Sequence, residues 1–299
     1  MYEQIYNLTS MFFKSLKGNL MYEFLISKFN GKRGPKRQLS LEQIVALNIY
    51  RFHFKMGDLK NYHKMIRELM SDKVPNLPNY ENFMKATNKS TVFILAFMNF
   101  LMAMNRKKES EIHYMDSTPI TVCMNHKIYS HKVTKSIAKR SKSTKGWWYG
   151  FKMSGICNEQ GDFENIIISY ANIADCKIAE KLAEVVKGTI FADAGYLQKK
   201  DVLKRMEEKG IKFEAAPRKN MNRLMSRFEC YHIKHRSIIE SDWGTLKNNF
   251  QLEYHKARSI VGMFRHFFYS IAAYMINRNL DFYQNFFRLR LIYKTRISA

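Results

Sequence analysis

Apolar positions recur every three to four residues from Met1 to about Lys108, the spacing of helices that bury one face. Met1 to Phe29 reads as helical throughout. Ser40-Leu41-Glu42-Gln43 has the form of a capping box, in which Ser40 and Gln43 each satisfy the other's free amide. The helix it opens carries Leu41, Ile44, Val45, Leu47, Ile49 and Phe52 and should stop near Gly57. Asp58 is placed to cap a further helix bearing Leu59, Tyr62, Met65, Ile66 and Leu69. Pro75 and Pro78 punctuate, a short helix is expected from about Tyr80, and Ser90 precedes an apolar helix from Thr91 to about Asn105. Asn30 to Arg37, with Gly31, Gly34 and Pro35, reads as a basic connector.

Beyond Lys108 the period changes. Ile112 to Cys123, about Trp147 to Cys157, and Phe163 to Ser169 read as strands, with Gln160-Gly161-Asp162 turning between the last two. A helical run from Lys177 to Val186 follows Asn172 and Asp175. Then come a strand over Thr189 to Asp193, a helix from about Lys199 to Lys209 and a strand over Ile211 to Ala216. Helical patterns return from about Tyr231 to Leu252 and from about Ser259 to Asn279. A hairpin followed by strand–helix crossovers predicts an α/β architecture, a mixed sheet with helices on its faces, preceded by an all-helical N-terminal domain. The expected domains are 1–108 and 109–299.

Composition narrows the class. The 299 residues are 46% hydrophobic and 14% aromatic, which excludes a disordered chain and supplies ample core. Fifty Lys+Arg against 26 Asp+Glu leave a net charge of +24, which points to nucleic acid. A structural nucleoid or ribosomal protein would explain the charge, but seldom 22 Phe and 17 Tyr. Cys123, Cys157, Cys176 and Cys230 make no Cys-x-x-Cys pair, and the doublets His126/His131 and His232/His235 lack zinc spacing. Reduced thiols in a cytoplasmic protein are expected. Val92 to Met104 and Phe267 to Ile276 fall short of a bilayer span of about 20 residues, and Met1-Tyr2-Glu3-Gln4 does not open a signal peptide. The expectation is a soluble, nucleoid-associated protein with no membrane partner.

Three carboxylates carry the candidate chemistry. Asp116 interrupts an apolar strand, where a buried carboxylate costs several kcal/mol unless paired or bound to a cation. Asp193 ends the apolar run Thr189 to Ala192 and precedes a turn at Gly195, the place where ligands collect in open α/β sheets. Glu240 shares a helical stripe with Arg236 and Lys247. Each has a plainer alternative: a backbone-bonded aspartate, a turn or cap residue, and an i,i+4 ion pair. Asp175, just before a helix, is the rival acid and is expected to cap that helix.

No acid lies between Asp116 and Glu159. That interval carries Lys127, Lys132, Lys135, Lys139, Arg140, Lys142 and Lys145, and closes on Trp147-Trp148-Tyr149. A long basic loop of this kind suits a DNA-backbone clamp. The aromatics either stack on an unpaired base or pack in the core. The connector residues Lys32, Arg33, Lys36 and Arg37 are further candidates for phosphate contact, against a solvated loop. The tail after Asp281, with Arg288, Arg290, Lys294 and Arg296, is acid-free.

Taken together these residues resemble a bacterial insertion-sequence transposase of the DDE class, most closely the insertion sequence 982 family. Met115-Asp116-Ser117-Thr118-Pro119-Ile120 is similar to the family's first-aspartate strand, with Val122-Cys123-Met124-Asn125-His126 after it. Gly146-Trp147-Trp148-Tyr149-Gly150-Phe151-Lys152 resembles its second strand. Phe191-Ala192-Asp193-Ala194-Gly195-Tyr196 resembles the second-aspartate motif, followed by Pro217-Arg218-Lys219-Asn220-Met221. Arg236, Glu240 and Lys247 fit an Arg-x3-Glu-x6-Lys signature. The tyrosine often found three residues before that Arg is Ile233 here, and Tyr231 is out of register. Leu77-Pro78-Asn79-Tyr80-Glu81-Asn82-Phe83 is also similar to the family.

The resemblance implies a ribonuclease-H-like catalytic domain in which Asp116, Asp193 and Glu240 hold two Mg²⁺ ions, with Mn²⁺ as a substitute. It implies double-stranded DNA partners, namely the element's terminal inverted repeats and target DNA, and a homo-oligomer that holds two ends together. The alternative function is a catalytically inactive, transposase-derived DNA-binding protein. Residues 1–108 are expected either to read the terminal repeats or to form a dimerisation bundle.

Overall fold

The computed structural model describes residues 1–31, 37–143, 146–218, 220–253 and 255–297, with side chains through residue 286. Lys32, Arg33, Lys36 and Lys145, all candidates for DNA contact, lie outside the described residues, as do the side chains of Arg288, Arg290, Lys294 and Arg296. The chain forms two compact units, Met1–Leu101 with Asn248–Ala299, and Met102–Lys247.

The first unit is helical, with α1 (Tyr2–Ser15), α2 (Leu20–Asn30), α3 (Leu41–Tyr50), α4 (Leu59–Leu69), α5 (Tyr80–Lys89), most of α6 (Thr91–Asn105) and α11 (Ile260–Ile297). The expected caps are present. Ser40 and Gln43 exchange both capping-box bonds, and the Asp58 carboxylate accepts from the amides of Lys60 and Asn61. A 3-10 turn over Arg51–Phe54 extends α3 and ends at Lys55 in the left-handed region. The core is aromatic: Phe12 and Phe13 of α1 pack on Phe97 of α6. α11 lies against α1, α3 and α5. Residues 248–299, expected to belong with the segment after 108, group by contact with the N-terminal helices.

The second unit is a six-stranded mixed sheet built from β1 (Ile112–Cys123), β2 (Lys139–Ser143), β3 (Gly146–Asn158), β4 (Phe163–Tyr170), β5 (Gly188–Ala192) and β6 (Ile211–Ala215). β1 runs antiparallel to β3 on one side and parallel to β5 on the other, and β5 is parallel to β6. β2 and β4 share the outer edge of β3, with β2 on Gly146–Gly150 and β4 on Phe151–Cys157. The expected strands fall within a residue or two of those observed. The exception is β2, which lies in the segment expected to be a loop. Its sequence Lys-Arg-Ser-Lys-Ser has no apolar alternation, and only pairing with β3 makes it a strand.

Helices cover both faces of the sheet. Ile178 and Leu182 of α7 (Cys176–Ala183) and Met206 of α8 (Lys200–Glu208) share a core with Met115, Ile156, Ile190 and Ala192. Tyr114 and Phe191 face the other way, onto His232 of α9 (Arg227–His235). The single helix expected over 231–252 is two, α9 and α10 (Ser237–Asn248), meeting at Arg236. A buried ion pair ties the sheet together. His113 Nδ1 lies 2.6 Å from Glu164 and Nε2 lies 2.7 Å from the Lys187 carbonyl. Both partners accept, so both ring nitrogens donate; burial pulls the His113 pKa down, but the hydrogen bond and charge of Glu164, together with backbone hydrogen bonding, leave it raised. No helix among the described residues is long and apolar enough to cross a membrane.

Candidate catalytic carboxylates and a basic hairpin

Side chains alternate across a strand, so Tyr114 and Asp116 of β1 point to the α9–α10 face while Met115 and Ser117 point to the α7 face. Asp193 continues β5 in extended backbone, and by the same alternation falls on the side of Phe191, toward α9. α10 approaches this face closely because Gly155, the partner of Asp116 on β3, has no side chain. A Cβ at Gly155 would meet Trp243 at 2.7 Å and Phe163 at 2.9 Å. Trp243 packs on Phe163 with ring centroids 4.7 Å apart and the rings tilted by 40°, and Glu240 stands one turn before it.

The three acids expected from sequence therefore come from neighbouring elements on one face. The Asp116 carboxyl is pushed up to about 7: burial raises it most, Arg236 pulls against the rise, and the charges of Glu240 and Asp193 add to it. Arg236 stands between two of them, with Nη1 3.2 Å from Asp116 and Nη2 2.7 Å from Glu240. Its Nε is buried without a hydrogen-bond acceptor. Asp193 is exposed and accepts from its neighbour, the Ala194 amide, at 2.7 Å. Among the described residues no three His, Cys, Asp or Glu side chains converge closely enough to hold a metal ion. The physical reason is local: a guanidinium fills the place between Asp116 and Glu240, and Asp193 turns back to its own turn.

This donor set suits a hard cation. It is all carboxylate oxygen, and a positive group already sits on two of its members. The Lys247 ammonium, expected to grip phosphate, donates to the Pro119 carbonyl of β1 at 2.5 Å. Asp175 was expected to cap α7 with its side chain, and it does not. Its carboxylate accepts from Ser117 Oγ at 2.9 Å and pairs with Lys152 of β3 at 3.1 Å. It thus sits on the α7 side of β1, and the carboxylates whose charge raises the Asp116 pKa are Glu240 and Asp193. Lys152 carried no distinguishing signal in sequence, because its partner lies across the sheet.

Past Asp116 the sheet continues into the β2–β3 hairpin, about 17 Å along β1 to Thr121 at roughly 3.3 Å per residue. Lys139, Arg140 and Lys142 of β2 are exposed, and so are Lys127, Lys132 and Lys135 before it. Trp147 is half exposed, with the Arg140 guanidinium 4.7 Å from its ring and the Lys142 ammonium 5.8 Å away. Trp148 and Tyr149 are buried, so of the three aromatics only Trp147 presents its ring to solvent. In the helical unit Arg37, a candidate for phosphate contact, donates to the Phe29 carbonyl at 2.8 Å and covers the Phe29 ring.

A model of the transposase DDE domain matches residues 106–260, just over half of the chain. The chain belongs to this family. No curated protein and no solved structure matches it significantly. The matched DDE domain spans all six strands and α7 to α10, and contains Asp116, Asp193, Glu240 and the basic hairpin.

Proposed function

We propose that this chain is a DNA transposase, of the insertion sequence 982 kind, that cuts phosphodiester bonds at the ends of its element and joins the 3′-hydroxyl ends to target DNA. The observation that carries this reading is the match of residues 106–260 to a transposase DDE domain, with Asp116, Asp193 and Glu240 on one sheet face and the charges of the latter two acting on Asp116. The strand order, with β4, β3 and β1 in antiparallel pairs, β5 and β6 added in parallel and β2 on the edge of β3, supports a ribonuclease-H-like catalytic domain. Asp116, Asp193 and Glu240 would hold two Mg²⁺ ions. Bound there, the ions would supply Lewis-acid activation of water and charge at the leaving oxygen.

The chain's own residues would do the rest. Asp116, kept near neutrality by burial, gives up its proton as positive charge arrives. Arg236 then leaves the carboxylates, and its planar fork, with a donor already unmatched at Nε, takes a phosphate oxygen. Lys139, Arg140 and Lys142 hold the DNA backbone, with Trp147 stacked beneath the cations. The helical unit reads the terminal repeats, the basic connector lies on phosphates, and two copies hold two ends.

The alternative of an inactive DNA-binding descendant has one observation in its favour, the Arg236 guanidinium bridging Asp116 and Glu240. Protein, Mg²⁺ and end-labelled terminal DNA separate the two. Active protein nicks at the element boundary. Asp193→Ala and Glu240→Ala each lower cleavage by about a thousandfold or more, roughly 4 kcal/mol of lost transition-state stabilisation, with DNA affinity nearly unchanged. Near-normal cleavage by Asp193→Ala would remove that residue from the site. Metal-independent binding without cutting by the wild-type protein would favour the inactive reading.

A further inference from the structure

Within the helical unit, α3, α4, α5 and the start of α11 line a cleft of about 710 Å³. Its walls carry six lysines and arginines against two acids, Asp58 and Glu81. Asp58 is occupied as the cap of α4, and Glu81 is exposed.

Arg51 lines this cleft and is 6% exposed. No carboxylate pairs with it among the described residues, and its Nε is buried with no acceptor. Its polar contact is Nη2 to His266 Nδ1 at 3.4 Å. His266 Nε2 lies 2.8 Å from the Gln251 carbonyl and must donate to it, so Nδ1 holds the lone pair. Burial and Arg51 hold the His266 pKa well below its usual value, so the ring brings no counter-charge. Burial and the like charge of Arg265 bring the Arg51 pKa down to about 10, which still leaves it cationic at neutral pH.

Arg265 reaches the same cleft from α11 and donates to the Asn88 side chain. The first turn of α11 also lines it: Gly262 is part of the wall, and its amide donates to Ser259 Oγ at 3.1 Å. A helix N-terminus favours negative charge. A buried, unpaired guanidinium is costly in an isolated fold, and the cost is relieved by an anion.

We propose that this cleft is an oxyanion site that takes a phosphate group, held by Arg51 and Arg265 beside the positive end of α11, with the exposed Arg258 at its rim. The guanidinium forks suit phosphate oxygens. The phosphate comes either from a DNA backbone or from a free phosphate compound, and both present the same chemistry. The site is built wholly from the helical unit and needs neither a divalent ion nor Asp116, Asp193 and Glu240, so it stands or falls apart from the catalytic reading.

The test is thermal melting of the full-length protein in inorganic phosphate against chloride at equal ionic strength, without divalent ions. Phosphate at ten times its dissociation constant is expected to raise the melting temperature by roughly 3 °C beyond chloride. Arg51→Met, which removes the unpaired charge, is expected to melt no lower than wild type in chloride and to lose the phosphate response. Arg258→Gln alters only the rim, keeps the wild-type melting temperature in chloride, and weakens the response; it carries the test if Arg51→Met does not fold. Binding of fluorescent duplex DNA then identifies the source. A several-fold loss of affinity in Arg258→Gln, with phosphate displacing DNA from wild type better than chloride does, assigns the site to the backbone. Unchanged DNA affinity beside a lost phosphate response assigns it to a free phosphate compound. Phosphate acting no better than chloride on wild type, or an undiminished phosphate response in the folded variants, overturns the proposal.

Discussion

Asp116 holds its proton to about pH 7 because burial outweighs the guanidinium 3.2 Å away, and Glu240 and Asp193 add to the burden. The unfolded chain loses that proton near pH 4. Between these limits the folded state binds more protons, so stability falls as pH rises through the window. Asp116→Asn removes the penalty. It is expected to be more stable than wild type at pH 8, on the order of 2 kcal/mol after allowance for relaxation and a lost partner of Arg236, and nearly equal to it at about pH 4. Denaturant melts at the two pH values check this, and a variant weaker than wild type at pH 8 would mean that the Asp116 charge is a net structural asset. The acid itself was legible, because an apolar run broken by a carboxylate is a local signal. The Arg236 bridge was legible only as helical spacing to Glu240, since its contact with Asp116 crosses from helix to sheet. Asp175 was misread for the same reason: a cap is a local pattern, and Lys152 and Ser117, which claim the carboxylate, are distant in sequence.

At the scale of elements, α10 is set by what β3 lacks. An added methyl at Gly155 would strike Trp243 at 2.7 Å, and ring and helix would have to move. Because Glu240 rides one turn away, Gly155→Ala is expected to cut cleavage more than DNA binding while costing about 1–3 kcal/mol of stability, the usual range for overpacking. Paired cleavage and binding assays on the folded variant measure the difference; equal losses in both would show that α10 does not position the site. The β2–β3 hairpin supplies a separate prediction. Replacing Lys139, Arg140 and Lys142 with Gln should weaken binding to all duplex DNA and flatten its salt dependence by about 2 to 3 in log–log slope, one phosphate contact counting about 0.9. An unchanged slope would place the backbone contacts elsewhere. Long apolar strands such as β1 and β3 were readable from alternation. β2 was not, because a charged edge strand carries no buried face and takes its shape from its neighbour. The start of α9 was written in Ser226 and Glu229, which form a second capping box, but the apolar pattern alone puts the helix start four residues late.

At the scale of the whole molecule, contact grouping joins two distant stretches of chain, Met1–Leu101 and Asn248–Ala299, into one unit. Sequence order favours a single boundary near residue 108, since nothing in a helical period says which earlier helices a later one will join. The partner is decided by buried side chains and a few polar bonds. Met263, Phe267, Ile271, Met275 and Ile276 of α11 are buried, and the Tyr269 hydroxyl lies 2.6 Å from Ser90 Oγ. Five such side chains at about 1.5–3 kcal/mol each amount to a large part of a typical domain stability of roughly 5–15 kcal/mol. A chain ending after Lys247 keeps all six strands but loses α11 from α1, α3 and α5. Its N-terminal helices are therefore expected to become protease-sensitive and to bind a hydrophobic dye, while a fragment close to Met102–Lys247 survives digestion. Selective binding to element ends should disappear together with the folded helices. Limited proteolysis with mass measurement reads the outcome directly. Protease resistance of Met1–Leu101 equal to that in the full chain would show that α11 is dispensable to the helical unit, and that the single boundary is the better division.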